Sequence, residues 1–304
     1  MYLNKSTKIA FIGCGAVGKT LAVALSKGGY SVIAASSRTY SSAEDLASRI
    51  AGCVSYKSIP EAALQADLIF ITTFDSAIEP VVNSIKWSAR QAAVHCSGAS
   101  SLDVLKTAES QGASIGSFHP LQAFAGVDDA LAALPGSTFG IEGEGQLKDY
   151  LTQLALDVGG KPIFLQSSDK PLYHASAVTL GGVLMGQIAV IAQIWQDRLG
   201  VERNEALKTL IPMVRGVADA LEANGIPNGI AGPYVRGDIE TVKKHLEAMR
   251  SVGIKEMQMY ATTALAGIKF AAEKGVCSAE DVKVMKGLLN TYINNNPIKS
   301  NIIS

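Results

Sequence analysis

The chain has 304 residues, 48% of them hydrophobic and 18% charged, with a formal net charge of zero. That length suits two domains with sizeable cores. The balanced charge argues against a polyanion-binding surface, so no nucleic-acid partner is expected. The four cysteines, Cys14, Cys53, Cys96 and Cys277, have neither metal-ligand spacing nor the density of a disulfide framework, which fits a reducing, cytoplasmic setting and no metal. The first strand begins within ten residues of Met1, leaving no room for a signal peptide before it. No apolar run is expected to span a membrane. The nearest, residues 175–195, is interrupted by Gln187, Gln193 and glycines and reads as a buried helix.

Chain order starts with the most specific signal. The apolar run 8–12 leads into Gly13-x-Gly15-x-x-Gly18 and then a helix-prone segment, with a second apolar run at 31–35. Strand, glycine turn, helix and strand make the dinucleotide-binding fingerprint in its required context. Gly13 permits the tight turn, Gly15 lets backbone approach a pyrophosphate, and Gly18 lets the helix pack on the strand. Ala16, Val17 and Gly18 supply the free N–H groups of the helix start. At the end of the second strand NAD-binding chains place a carboxylate for the ribose 2′-hydroxyl. Here the residues are Ser36-Ser37-Arg38, with no carboxylate before Glu44. Two hydroxyls and a guanidinium fork suit a 2′-phosphate, so the expected cofactor is NADP (NADPH).

The alternation continues. Helices are expected at 41–50, 59–66, 77–85, 102–111 and 145–158, and strands at 67–73, 92–96, 113–118, 137–141 and 161–165. This predicts an α/β fold with a Rossmann-type, mostly parallel sheet covered on both faces. Thr73 and Phe74 end one strand, where ligands sit in open α/β sheets, and Asp75 is expected to cap the next helix. His95 reads as a buried histidine, whereas Ser97 in the following turn can hold a substrate oxygen or the nicotinamide amide. His119 sits where Pro120 is expected to stop the strand, as a donor with a pKa near working pH.

After residue 166 no strand is evident. Helices are expected at 171–199, 204–224, 238–251, 254–274 and 278–294, with a polar, loosely ordered tail beyond. The expected division is residues 1–166, binding NADP, and 167–304, an all-helical C-terminal domain for substrate and dimerisation. Lys170 and His174 lie four apart, on one face of the first of these helices. Arg236, in the loop Gly232-Pro233-Tyr234-Val235-Arg236-Gly237-Asp238, can fork onto a substrate carboxylate. Asp238 is expected to cap the helix after it. The apolar helices of the second half predict a homodimer.

Five motifs together carry a resemblance that spans nearly the whole chain: Gly13-x-Gly15-x-x-Gly18, His95-x-Ser97-Gly98, Phe118-His119-Pro120-Leu121-Gln122, Tyr173-His174-Ala175-x-Ala177-Val178 and Gly232-Pro233-x-x-Arg236-Gly237-Asp238. The chain resembles NADP-dependent oxidoreductases that pair a Rossmann-like domain with a helical C-terminal domain of uncharacterised function, a branch of the 6-phosphogluconate dehydrogenase-like superfamily. The resemblance implies hydride transfer to or from a small carbonyl compound or hydroxy acid in a cleft between the domains. It also implies a homodimer formed by the C-terminal helices. In the related β-hydroxyacid dehydrogenases a lysine on the first helix of the second domain protonates the substrate oxygen. His174 falls at about that place, with Lys170 one turn earlier and His119 as a third candidate. The asparagine usual on that helix is replaced by Gly181-Gly182, a departure from the hydroxyacid pattern. Imine reduction of the pyrroline-carboxylate type, prephenate-type dehydrogenation and a non-catalytic NADP sensor are the alternatives.

Overall fold

The computed structural model describes residues 3–124 and 126–294; the expected loose tail lies outside them. The chain forms two compact units, Met1–Gly182 and Val183–Ser304.

The first unit is built on eight strands: β1 (Ile9–Ile12), β2 (Val32–Ser36), β3 (Val54–Tyr56), β4 (Leu68–Ile71), β5 (Ala92–His95), β6 (Ser114–Leu121), β7 (Thr138–Glu142) and β8 (Lys161–Phe164). Their order in the sheet is β3-β2-β1-β4-β5-β6-β7-β8, and only the β6–β7 pair is antiparallel. The C-terminal ends of β1, β4, β5 and β6 therefore share one edge.

Side chains alternate between the two faces with the period of two that a pleated strand imposes. One face carries an aromatic row: Phe11 stacks on Phe70 at 5.0 Å, Phe70 meets Phe118 at 5.9 Å, and Phe118 meets Phe139 at 4.7 Å. All four are fully buried, and each contributes roughly 1.5–3 kcal/mol by leaving water. The other face is lined by Ala10, Ile12, Ile69, Ile71 and Ala93 beneath Ile78, Val82 and Leu105.

Several expectations are corrected. β3 and the helix Val127–Ala133 were not foreseen; each is short, and β3 is at most partly buried, so neither shows a clear hydrophobic period. The segment 102–111 splits into a 3₁₀ turn, Leu102–Leu105, and a helix, Lys106–Ser110. β6 passes through Pro120 to Leu121. Its pairing with β5 ends at Ser117, so beyond that point β6 is an edge on that side, where proline is tolerated. Asp75 is the first residue of its helix rather than the cap; Phe74 holds the cap position and no side-chain bond is made.

The sheet ends at Phe164, but the first compact unit continues to Gly182. The helical start there is a 3₁₀ turn, Ser167–Asp169, closed by a capping box of Gln166 and Asp169, followed by the helix Lys170–Val178. A π-helical turn, Thr179–Val183, then joins the helix Leu184–Leu199. By length and composition the whole segment Ser167–Leu199 could cross a membrane, and very little of it is buried. This corrects the expectation of a buried helix too short for that; Leu172, Leu180 and Met185 are 78%, 74% and 59% exposed.

The second unit is helical among its described residues. Helices Ile239–Val252, Ile254–Lys274 and Ala279–Asn294 enclose a core of Val242, Leu246, Met257, Ala261, Ile268, Met285 and Leu289. Asp238 caps the first of them, its carboxylate accepting the Thr241 N–H at 3.1 Å, as expected. In Leu184–Leu199 and Arg203–Asn224 only Ala192 and Ala206 are buried.

Candidate active site

The site begins at the glycine turn. Gly13 has φ +99°, and a Cβ there would stand 2.7 Å from the Thr72 carbonyl carbon. At Gly18 a Cβ would strike the Gly13 carbonyl oxygen and lie 2.6 Å from Thr72 Oγ1. Thr72 fastens the turn to the end of β4, its hydroxyl hydrogen-bonding to Gly13 O. Gly15 is different: a Cβ there meets no protein atom within 4 Å. Gly15 also holds the N-cap position of the helix Ala16–Lys27 and makes no side-chain cap, so the first N–H groups of that helix stay available. The helix dipole adds positive potential there. This open, donor-lined turn fits a pyrophosphate.

The 2′-phosphate candidates divide. Ser37 is partly buried, and its Oγ accepts the Cys14 N–H at 3.5 Å. Arg38 is exposed and makes no hydrogen bond or ion pair among the described residues, so its fork is free for an anion. Ser36 is a correction. β2 runs one residue further than expected, leaving its hydroxyl fully buried and without a partner. Burial takes that side chain out of the set that can reach a phosphate. At the end of β4, Thr73 Oγ1 is buried and unpartnered, and Phe74 is 77% exposed.

The second half of the site lies at the ends of β5 and β6. Adjacent strands are about 4.8 Å apart, which puts β5 roughly 10 Å from β1 along the same edge. His95 is fully buried at the end of β5. Its Nδ1 accepts the Ser97 N–H at 3.1 Å, so the ring proton belongs on Nε2, which has no partner. Ser97 is not a free substrate ligand: its Oγ accepts the N–H groups of Ala99 at 3.2 Å and Ser100 at 3.0 Å. Only its hydroxyl proton remains to be given.

In β6, Ser117 and His119 point to the same face, two residues apart. Lys170 and His174, one helical turn apart, meet them in the same order. Lys170 Nζ donates to Ser117 Oγ at 2.9 Å. The ring of His119 lies 6.0 Å from that of His174, nearly perpendicular to it. Tyr173 shares a 2.9 Å hydrogen bond with His119 Nδ1. Three of the four histidines in the chain thus lie at this edge. Gly98 faces both rings: a Cβ there would stand 2.6 Å from His174 Cδ2 and 2.8 Å from His119 Nε2.

Burial sets the charge states. His119 is pushed down to about 4 by burial, with the His174 and Lys170 charges adding to the shift. It is neutral at working pH, which corrects the expectation of a donor poised near neutrality. His95 is pushed down to about 3 by burial and then by Lys170. Lys170 has no solvent exposure; burial lowers it to about 8, against the opposing pull of Glu142, whose Oε2 lies 3.8 Å away. A buried lysine with so perturbed a pKa is a candidate for a functional site. Cys96 is held up as a thiol by burial, which makes it a poor nucleophile.

Arg236 belongs to the second unit. It is exposed, in the loop between Gly232 and Gly237, and makes no side-chain hydrogen bond or ion pair among the described residues. Tyr173 and Glu142 were given no role from the sequence. Tyr173 stands three residues after Lys170 and one before His174, a spacing that could have flagged it.

Residues 8–97 match the family described as NADP oxidoreductase coenzyme F420-dependent, and residues 137–266 match a domain of unknown function, DUF2520. The chain carries an NADP oxidoreductase domain followed by a DUF2520 domain. Among solved structures, the candidate NADP oxidoreductase BF3122 of Bacteroides fragilis is similar at 20% identity, with TM-score 0.67, covering 86% of this chain and 97% of that one. A reductive aminase from Aspergillus terreus is similar at 18% identity, with TM-score 0.57, covering 95% and 94%. The 1-pyrroline-5-carboxylate reductase of Streptococcus pyogenes is similar at 16% identity, with TM-score 0.59, covering 95% and 99%. At these identities the likeness is one of fold. No functionally curated protein matches the sequence.

Proposed function

We propose that this NADP oxidoreductase reduces, or in reverse oxidises, a small carbonyl compound or hydroxy acid at the edge formed by β4, β5 and β6. The observation that carries the reading is the meeting of His119 and His174 beside Gly98, with Tyr173 bonded to His119 and Lys170 buried one helical turn from His174, on the edge that holds the open glycine turn. NADP(H) would be held by the turn Gly13–Gly18, with Ser37 and Arg38 on the 2′-phosphate and Thr73 and Phe74 at the nicotinamide half. The cofactor supplies the hydride.

The chain's own residues do the rest. His174 gives a proton to the atom that receives the hydride's electrons. Neutral His119, held by Tyr173, orients the same atom through Nε2–H. Lys170 keeps positive charge under the site, which favours a developing alkoxide. The Ser97 hydroxyl can donate one further bond.

An imine in place of the carbonyl is the second reading. It is favoured by the near-complete coverage of a reductive aminase and a pyrroline-carboxylate reductase by this fold. The exposed apolar face of Ser167–Leu199 supports a homodimer through these helices. The test is NADPH oxidation across oxo acids, aldehydes and cyclic imines. Turnover of one class by the wild-type chain, lost in His174→Ala, supports the proposal. No turnover with any class, despite tight NADPH binding, would favour a non-catalytic sensor instead.

A further inference from the structure

A carbonyl and an imine differ in what the receiving atom offers. A carbonyl oxygen has two lone pairs, a neutral imine nitrogen has one, and an iminium nitrogen has none. The hydrogen-bond roles set at this edge therefore choose between them. His119 is the group whose role the fold fixes. It stands opposite Gly140 where β6 and β7 pair. A Cβ at Gly140 would lie 3.0 Å from Tyr173 Oη. The glycine thus leaves the space that this hydroxyl fills beside the imidazole, 2.9 Å from Nδ1. Burial pushes the Tyr173 phenol up to about 12, so it keeps its proton. The hydroxyl has no other hydrogen-bond partner among the described residues, and its proton is therefore given to Nδ1. His119 is neutral, pushed down to about 4 by burial, so its single ring proton sits on Nε2. No described residue accepts from Nε2. Gly98 keeps that atom uncovered, since a Cβ there would stand 2.8 Å away. Ser97 has the same polarity: its oxygen already accepts two N–H groups, and only its proton is left to give.

We propose that Tyr173, by fixing His119 as an N–H donor, makes this site select a carbonyl oxygen over an imine nitrogen. The inference deepens the oxidoreductase reading and rests on it for the chemistry, though the state of His119 stands without it. A carbonyl oxygen satisfies both histidines, one lone pair for His119 Nε2–H and one for the proton of His174. An imine nitrogen that takes the His174 proton leaves the His119 N–H with no acceptor, which costs the desolvation of that group. An iminium meets the same N–H with no lone pair at all, and it brings a second positive charge to an edge where Lys170 already holds one. Its reduction also leaves the atom neutral, so the charge of Lys170 has no developing anion to favour. His119 keeps its proton throughout, and no transfer is added to the reaction. Tyr173 acts through His119 and is a positioning residue.

The experiment uses the full chain with ¹⁵N-labelled histidine. NMR at neutral pH reads the ring nitrogens of His119, assigned through His119→Gln, in wild type and Tyr173→Phe. The wild-type proton should sit on Nε2 alone, with Nδ1 as a hydrogen-bonded acceptor; Tyr173→Phe should break that bond and let a share of the proton move to Nδ1. A wild-type ring protonated on Nδ1, or an unaltered ring in a folded Tyr173→Phe chain, overturns the proposal. Two unreactive probes on one ring then test the selection in the chain loaded with NADP⁺: the lactam pyrrolidinone, which presents a carbonyl oxygen, and the amidinium of iminopyrrolidine, which presents N–H groups. The lactam should shift the His119 Nε2 signal and bind at least about tenfold more tightly. Equal or tighter binding of the amidinium overturns the proposal, as does a His119 signal that neither probe moves. With a substrate in hand, kcat/KM for a ketone should exceed that for the matched cyclic imine about a hundredfold, and Tyr173→Phe should narrow the ratio. A wild type that prefers the imine overturns the selection and leaves the oxidoreductase reading standing. If the wild type reduces nothing, that reading fails, while the ring state and the probe pair still decide the selection.

Discussion

Replacing Gly98 by alanine tests how tightly the histidine pair is set. Gly98 does not have a positive φ, so alanine meets no backbone penalty there and its effect comes from contact alone. The new methyl would stand 2.6 Å from His174 Cδ2, 2.8 Å from His119 Nε2 and 2.9 Å from His119 Cε1. Ordinary contact needs about 3.5–4.0 Å. Both rings must therefore retreat by roughly 1 Å, or the turn after β5 must. A misplacement of about 1 Å costs on the order of a hundredfold in rate, or about 3 kcal/mol of barrier. Overpacking should also cost about 1–3 kcal/mol of stability, well within reach of a folded variant. The assay compares kcat/KM for the best substrate, the Kd for NADPH and the unfolding midpoint in wild type and Gly98→Ala. A folded variant with intact NADPH binding and roughly hundredfold lower kcat/KM is expected. Wild-type kcat/KM would mean that the two rings have no part in setting the rate.

Three further outcomes follow from the same structure. Arg38→Ala should weaken NADPH binding and leave NADH binding unchanged, read by calorimetry on both; equal loss for the two cofactors would place Arg38 away from the 2′-phosphate. Acid stability should carry the mark of the buried histidines. His95 and His119 are held at about 3 and about 4, below the usual value of about 6.5. The unfolded chain therefore binds protons below about pH 6.5 that the folded chain refuses. Stability is full above that pH and falls as pH drops towards 4, by up to about 1.4 kcal/mol per unit for each of the two histidines. Denaturant unfolding between pH 7 and 5 should show this slope, and His119→Asn should flatten it; an unaltered slope contradicts the assignment. Finally, light scattering should give about twice the 31.8 kDa chain mass, and Leu180→Lys with Met185→Lys should shift it towards one chain. A monomeric wild type would remove the dimer.

Local rules made much of the fold legible. The glycine turn, the strands that end two residues before Thr73 and Ser97 and the helix 254–274 depend on period, cap and turn chemistry, which act over a few residues. The site depended on distant partners. Lys170 and His174 were visible as one helix face, but what they face was not. The meeting of Lys170 with Ser117 and Glu142 follows from the antiparallel β6–β7 pair, and no local pattern marked that change of direction. The neutrality of His119 comes from burial, which a strand-end position does not reveal. Ser36 was misjudged because one extra strand residue turned its hydroxyl inward. The exposure of 167–199 was hidden because an apolar run reads alike whether or not the fold covers it.

The proposed role of His174 is to protonate a substrate reduced by NADPH on this edge. A single-turnover experiment tests it most directly: enzyme preloaded with NADPH is mixed with the substrate found by the panel, and loss of the reduced cofactor is followed in wild type and His174→Ala. His174→Ala should bind NADPH as the wild type does and react on the order of a hundredfold more slowly or worse. Wild-type single-turnover rates in a folded, NADPH-loaded His174→Ala chain would exclude His174 as the proton donor.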